Sequence, residues 1–284
     1  MSDRGRFCRI AGVREIADRY RTWFVDAYGV LHDGSTAFPG VVDALVLAQR
    51  AGVTVVIVTN SGQRIDMVAK RLAGAGIAGD LYNHIMSSGE LTWRHIEQLN
   101  GPELRRLFLL HPGGGPLWLK DLRNPIVDDV ALADLMVVAD MPHRTEEAAR
   151  AGDLLATLET AAALRLPLLV PDSDVTWPHN GVIRLGPGWI ARRYAELGGE
   201  TIEFGKPYAP IYAAARALCN ANAGEVIMVG DNLATDIAGA NREGIASLLV
   251  LKHGLHGGLS DSALAEAARG HGAAPTYIAP AFTW

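Results

Sequence analysis

The segment Thr54–Thr59 constrains the fold most, because it places Val-Val-Ile-Val between two threonines without any polar alternation. Such a continuous β-branched run is typical of a parallel strand that helices bury on both faces. Similar apolar runs occur at Thr22–Asp26, Val226–Gly230 and Ala246–Leu251. Strands that alternate with helices predict a parallel sheet, so we expect a three-layer α/β fold. The helical patterns between these strands cover 39–50, 63–73, 207–220, 236–242 and 261–269.

The middle of the chain repeats this alternation and predicts a second α/β domain. We expect it to be inserted, so that residues 1–88 and 201–284 form a discontinuous core and residues 89–200 form a cap. In this division, Thr201–Phe204 is the strand with which the core resumes. The predicted cap elements are strands at 107–110, 135–139 and 166–170, and helices at 146–163 and 189–197.

Composition and charge exclude several classes of function. With 49% hydrophobic and 20% charged residues, the 284-residue chain is too apolar for a disordered protein. A net charge of -5 offers no attraction to nucleic acid or anionic membrane, so we expect neither as a partner. The two cysteines, Cys8 and Cys219, fit a reducing compartment. Since the N-terminus is polar and no apolar run reaches ~18 residues, we expect a cytoplasmic protein.

Four predicted strands end in residues that can bind phosphate or a metal ion. Ligands of parallel α/β sheets bind beyond the carboxyl ends of the strands. Taken singly, each motif also fits a helix cap or a turn, but a Gly-Asp-x4-Asp loop suits a hard cation. The four together, in this order, favour one shared site. Its candidate residues are Asp26, then Thr59, Asn60 and Ser61, then Lys206, and finally Asp231 and Asp236.

These motifs resemble those of the haloacid dehalogenase superfamily of hydrolases. The most specific parts are Gly205-Lys-Pro207 and Gly230-Asp-Asn-x3-Asp-Ile-x-Gly-Ala240. More narrowly, the chain is similar to the class with a large α/β cap between the second and third motifs, which contains nucleotide, phosphoglycolate and pyridoxal-phosphate phosphatases. The resemblance spans Trp23 to about Leu251 and implies a Rossmann-like core, Mg²⁺, and hydrolysis of small phosphorylated metabolites.

The resemblance assigns the chemistry to five residues. Asp26 would attack phosphorus and form an aspartyl-phosphate. Mg²⁺ would be held by Asp26, the backbone carbonyl of Tyr28 and Asp231, with water-mediated help from Asp236. Lys206 would neutralise charge on Asp26 and on the phosphoryl group.

The remaining assignments concern the substrate. Thr59 and the backbone amides of Asn60 and Ser61, near the start of the predicted helix at 63–73, would bind phosphate oxygens. Asp174 lies in a partial match to an Asn-Pro-Asp motif and would contact the substrate. A homodimer formed through the cap is also expected.

One position departs from the family pattern. The phosphatases carry Asp-x-Asp-Gly where this chain has Asp26-Ala-Tyr28-Gly29. The missing Asp supplies acid–base catalysis worth on the order of 10²- to 10⁴-fold, and a phenol with pKa near ~10 replaces it poorly. We therefore expect a preference for aryl or acyl phosphates. Two alternatives stay open: a metal-independent 2-haloacid dehalogenase, which shares Asp-x-Tyr-Gly, and a ligand-binding or regulatory protein with little turnover.

Three histidines have more than one interpretation. His32 follows Asp26 by six residues and could replace the missing acid or base, or simply order its loop. His253 and His256 have a spacing that two metal ligands could use, but no further ligand accompanies them, which favours a loop role.

Overall fold

The computed structural model describes residues 7–110, 119, 121–139, 153–179 and 182–284. The chain forms two compact units. The first unit contains residues 1–59, 65–86 and 206–284, and the second contains residues 60–64 and 87–205.

A six-stranded sheet forms the centre of the first unit. Its strands are β1 (Thr22–Val25), β2 (Thr54–Thr59), β3 (His84–Ser87), β10 (Val226–Gly230), β11 (Ala246–Val250) and β12 (Tyr277–Ala279). They lie side by side in the order β12-β11-β10-β1-β2-β3. Five of these strands, all except β3, pair in parallel. Every residue of β1 and β10 is buried, as expected for continuous apolar runs.

Helices cover both faces of this sheet. Along β11, Leu248 packs in one apolar cluster with Leu45, whereas its neighbour Leu249 packs in another with Leu264. Successive side chains of a strand point to opposite faces, so the two clusters are two separate layers of packing. The predicted three-layer α/β fold is confirmed. The helices are Arg14–Ala17, Val41–Arg50, Ile65–Gly74, Ala209–Cys219, Ala238–Arg242 and Asp261–Gly270, with a π-helical turn at Leu233–Ile237.

The second unit has its own parallel sheet of four strands. In their spatial order they are β4 (Leu107–Leu110), β5 (Leu135–Val138), β6 (Leu168–Val170) and β9 (Thr201–Glu203). The unit also contains an antiparallel pair, β7 (Thr176–His179) with β8 (Val182–Leu185). The predicted helix at 146–163 is described from Leu154 to Ala163, and residues 140–152 lie outside the described residues. The helices described in this unit are Ser88–Leu99, Leu154–Ala163 and Pro187–Glu196.

The predicted boundary between the core and the cap needs a correction. Thr201–Glu203 is indeed a strand, but it pairs with β6 of the second unit, with Glu203 opposite Val170. The second unit therefore continues to Gly205, and the expectation that the core resumes at residue 201 is wrong. Residues 60–64 also belong to the second unit. A strand of three residues gains its stability from the edge it extends, and its own sequence does not identify that edge.

No helix in the described part of the chain combines the length and the apolar character that crossing a bilayer requires.

Candidate functional site

Three carboxylates meet at the carboxyl ends of β1 and β10. Asp26 follows β1 and Asp231 follows β10, and these strands pair with Val25 opposite Val229. Asp236 lies on the π-helical turn that comes next. Each residue offers an oxygen to a group whose members lie within 4.8 Å of one another. Asp231 and Asp236 are buried, whereas Asp26 is partly exposed. The structure thus brings Asp26, near the start of the sequence, together with Asp231 and Asp236, which share one motif near its end.

Lys206 supplies the positive charge of this cluster. Its Nζ donates to Asp26 Oδ1 at 2.7 Å and to Asp236 Oδ1 at 2.7 Å. Burial alone would lower the pKa of Lys206, but the carboxylates of Asp236 and Asp26 raise it above its ordinary value. Lys206 is therefore a fixed cation in contact with the predicted nucleophile.

The cluster has more negative than positive charge. Burial, followed by repulsion from Asp26 and Asp236, raises the pKa of Asp231 well above its ordinary value. Burial also raises the pKa of Asp236 to about 6, although Lys206 opposes this shift. Among the described residues, one ammonium group thus faces three carboxylates, and a hard divalent cation is the partner that such oxygens prefer. The donor set fits Mg²⁺.

Asp236 is oriented by contacts on both carboxylate oxygens. Oδ1 accepts from Lys206, and Oδ2 accepts from the backbone N–H of Asn232 at 3.1 Å. The carboxylate lies so close to Gly230 that a Cβ there would stand 2.1 Å from Asp236 Cγ. The buried Tyr212 hydroxyl donates to the carbonyls of Thr235 and Asp236, at 3.2 and 3.3 Å. These contacts stabilise the π-helical turn, a feature that often occurs at functional sites.

Tyr28 and His32 lie in the loop that follows Asp26. Burial, together with Asp33 and Asp231, raises the pKa of the half-buried Tyr28 above its ordinary value, so its phenol is neutral at pH 7. His32 is buried, and its Nδ1 accepts from Gly34 N–H at 2.8 Å. Burial lowers the pKa of His32 to about 4. A neutral histidine bonded to its own loop favours the interpretation that His32 orders the loop.

Thr59 lies at the carboxyl end of β2, in the first unit. Because Val25 of β1 is opposite Ile57 of β2, Thr59 and Asp26 follow the paired residues at the same edge of the sheet. Thr59 is buried, as a contact for an enclosed phosphate group would be.

Asn60, Ser61 and Asp174 belong to the second unit. The Asn60 Nδ2 donates to Asp174 Oδ1 at 3.0 Å, so the structure joins two residues that the sequence assigned to the substrate separately. Ser61 Oγ accepts from Gln63 N–H at 3.3 Å. The following helix begins at Ile65, two residues later along the chain than predicted.

His253 and His256 have partners other than a metal. The His253 ring stacks on Phe38 with the ring centroids 4.0 Å apart, and His256 Nε2 accepts from Leu233 N–H at 3.3 Å. Among the described residues, the candidate metal group contains three aspartates and no histidine. The contacts that Tyr212 and His256 make could not be predicted from the sequence, because each joins segments that are distant along the chain.

Comparison with known proteins identifies the family. One family model, haloacid dehalogenase-like hydrolase, matches residues 23–114, and a second, HAD-hydrolase-like, matches residues 203–283. The chain belongs to the haloacid dehalogenase-like hydrolases. The resemblance inferred from the four motifs is therefore confirmed, and this member of the family is a hydrolase.

Several relatives of this hydrolase extend over most of its length. Chronophin from Bos taurus is 26% identical over 261 residues, which cover 86% of this chain and 85% of that protein. The 4-nitrophenylphosphatase of Schizosaccharomyces pombe is 26% identical and covers 84% of this chain and 86% of its own length. The crystal structure of a haloacid dehalogenase-like hydrolase from Brucella suis is 25% identical, with a TM-score of 0.77 over 96% of this chain and 100% of that chain.

Proposed function

We propose that this hydrolase is a phosphatase of small phosphorylated metabolites and that Asp26 is its nucleophile. The proposal rests on one observation, the contact of Lys206 Nζ with both Asp26 and Asp236 beside the buried Asp231. A cation that touches the nucleophile suits a reaction in which a carboxylate must approach a phosphate dianion. The names of the relatives, which include a 4-nitrophenylphosphatase, point in the same direction.

In the proposed reaction, a carboxylate oxygen of Asp26 forms a bond to phosphorus as the bond to the leaving oxygen breaks. Water then attacks the phosphorus of the aspartyl-phosphate and releases phosphate, which restores the Asp26 carboxylate. Lys206 stays protonated throughout and offsets the charge that collects between Asp26 and the phosphoryl oxygens.

Mg²⁺ is the proposed cofactor. Asp26, Asp231 and the backbone carbonyl of Tyr28 would hold it, because they supply the oxygen ligands that this ion prefers. Asp236 would contact the ion through a water molecule, since both of its carboxylate oxygens already accept hydrogen bonds, one from Lys206 and one from Asn232. A bound Mg²⁺ supplies charge neutralisation for the two anions that must meet.

We propose that the phosphoryl oxygens are bound by the Thr59 side chain and by the backbone amides of Asn60 and Ser61. In this scheme the hydrogen bond from Asn60 to Asp174 orients the Asn60 side chain, and Asp174 also contacts the substrate. The second unit would act as the cap that selects the substrate. The homodimer through this unit, the cytoplasmic location and the lack of nucleic-acid and membrane partners stay predictions.

The substrate preference follows from Tyr28. A neutral phenol with a raised pKa is a weak proton donor, and His32 is neutral and bonded to its loop. We infer that the preferred substrates are aryl or acyl phosphates, whose leaving groups depart without a proton. The relative from Schizosaccharomyces pombe is named for 4-nitrophenyl phosphate, which is an aryl phosphate of the kind that we infer as a substrate.

The test is a screen of phosphate esters with Mg²⁺ and with EDTA. We expect turnover that requires the metal, and we expect Asp26→Asn to lose it by at least about 10³-fold because the nucleophile is removed. The matched control is Asp43→Asn, which makes the same change at an exposed aspartate of the first unit. Turnover that survives in Asp26→Asn would exclude the mechanism. Halide release from 2-haloacids in EDTA would favour the dehalogenase, and phosphate binding without turnover would favour the binding protein.

A further inference from the structure

The turn that carries Asp236 begins with backbone N–H groups that side chains must satisfy. At the start of any helical segment the first N–H groups have no partner within the segment. Here the N–H of Asn232 donates to Asp236 Oδ2 at 3.1 Å, and the N–H of Ala234 donates to Asn232 Oδ1 at 2.8 Å. Both acceptors belong to the metal-binding motif itself.

The N–H between these two has a partner from a different part of the chain. Leu233 is fully buried, and its N–H donates to His256 Nε2 at 3.3 Å. A buried N–H without an acceptor is costly, so the His256 ring contributes to the conformation of this turn. Burial, together with His271, lowers the pKa of His256, which keeps the nitrogen available as an acceptor.

The loop that contains His256 also contacts Asp231 directly. The N–H of Leu255 donates to Asp231 Oδ2 at 3.2 Å. Gly254 fits against the same side chain, since a Cβ at this position would lie 2.3 Å from Asp231 Cβ. Three successive residues of one loop thus reach Asp231 and the turn that leads to Asp236.

We propose that His256 is a positioning residue, which holds the backbone between Asp231 and Asp236 in the conformation that binds the metal. The proposal rests on the proposed function for the identity of the ion, but the contact itself lies in the protein. It also gives each histidine of the His253-Gly-Leu-His256 motif a contact within the protein: the His253 ring stacks on Phe38, and His256 accepts from Leu233 N–H.

The experiment compares His256→Leu with His256→Gln. The leucine removes the acceptor, whereas the side-chain oxygen of the glutamine can replace Nε2. Substitutions of residues that orient metal ligands typically weaken metal binding about 10- to 100-fold, so we expect that loss of Mg²⁺ affinity in His256→Leu and less than about 3-fold in His256→Gln. Mg²⁺ alone is titrated by calorimetry, without substrate. His84→Leu, which changes a partly buried histidine at the amino end of β3 in the same unit, is the matched control.

A second measurement needs no metal. In Mg²⁺-free protein we expect faster hydrogen–deuterium exchange across residues 231–237 in His256→Leu, and exchange close to that of the unsubstituted protein in His256→Gln. Equal Mg²⁺ affinity in the unsubstituted protein and His256→Leu, or unchanged exchange of this segment, would overturn the proposal. If the unsubstituted protein binds no Mg²⁺, the proposed function fails, and the exchange comparison still decides whether His256 positions the turn.

Discussion

Restoring a carboxylic acid at position 28 tests the interpretation of the active site most directly. In Tyr28→Asp, a carboxyl group would replace a phenol whose pKa is raised by burial, followed by Asp33 and Asp231. A carboxyl group at this position can protonate the leaving oxygen, as the aspartate of the phosphatases that this chain resembles would do. The variant should therefore gain a proton donor.

The size of the gain depends on the leaving group. General acid–base catalysis typically contributes 10²- to 10⁴-fold, and we expect the low end, about 10²-fold in kcat/KM, because the loop is adapted to a tyrosine. That factor corresponds to about 2.7 kcal/mol of transition-state stabilisation. It applies to alkyl phosphates, whose leaving oxygen must be protonated. For 4-nitrophenyl phosphate, whose leaving group needs no proton, we expect a change below about 3-fold.

The assay measures kcat/KM for a series of phosphate esters with graded leaving-group pKa. The unsubstituted protein should show a steep dependence on the leaving group, and Tyr28→Asp a shallower one. Tyr28→Phe is the control, since it keeps the ring packed near His32 but removes the hydroxyl. A flat dependence in the unsubstituted protein, or an equal gain for alkyl and aryl esters in Tyr28→Asp, would refute the reasoning.

Three further predictions concern charge, pH and packing. Lys206→Met leaves its two bonded carboxylates without their cation, so we expect a loss of about 3–5 kcal/mol in the free energy of unfolding by urea denaturation of the metal-free protein, together with loss of turnover. His32 has a pKa of about 4 in the folded protein against an ordinary 6.5, so the unfolded state takes up the proton first as the pH falls. The folding stability should therefore fall by about 2 kcal/mol from pH 7 to pH 5, and His32→Gln should remove this part of the pH dependence. Gly230→Ala would place a Cβ at 2.1 Å from Asp236 Cγ, so we expect a loss of about 1–3 kcal/mol in stability and weaker Mg²⁺ binding, whereas Gly224→Ala, with no atom within 4 Å, should change neither.

Two strands with continuous apolar runs were predicted with the bounds that the structure shows. Thr54–Thr59 and Val226–Gly230 have the same bounds in the sequence pattern and in the structure. Their continuous apolar runs result from burial on both faces, which is a local property of the sequence. The strand at Thr201–Glu203 was also recognised, but its sheet was not, because partner choice depends on an edge formed by a distant segment. The strand at His84–Ser87 was missed, since its histidine and serine break the apolar pattern.

The residues of the candidate site could likewise be predicted only in part. Asp26 and Asp231 could be predicted because a residue that follows a parallel strand lies at one known edge of the sheet. The contact between Asn60 and Asp174 could not, since it joins residues more than a hundred positions apart. The hydrogen bond from Leu233 N–H to His256 could not be predicted either, because it depends on the path of the loop that follows β11. The two aspartates that directly follow strands could be located from the sequence, whereas these two loop contacts required the structure.

Tyr28 separates two tasks that one residue combines in the phosphatases this chain resembles. In the proposed site, metal binding uses the backbone carbonyl at this position, which a tyrosine supplies as well as an aspartate does. Proton transfer uses the side chain, and the tyrosine supplies it poorly. Lys206 contacts both Asp26 and Asp236, so in the proposed mechanism the groups that attack phosphorus are retained while assistance to the leaving group is reduced. Loss of the aspartate should therefore narrow the range of substrates by leaving group, and it should leave the affinity for Mg²⁺ nearly unchanged.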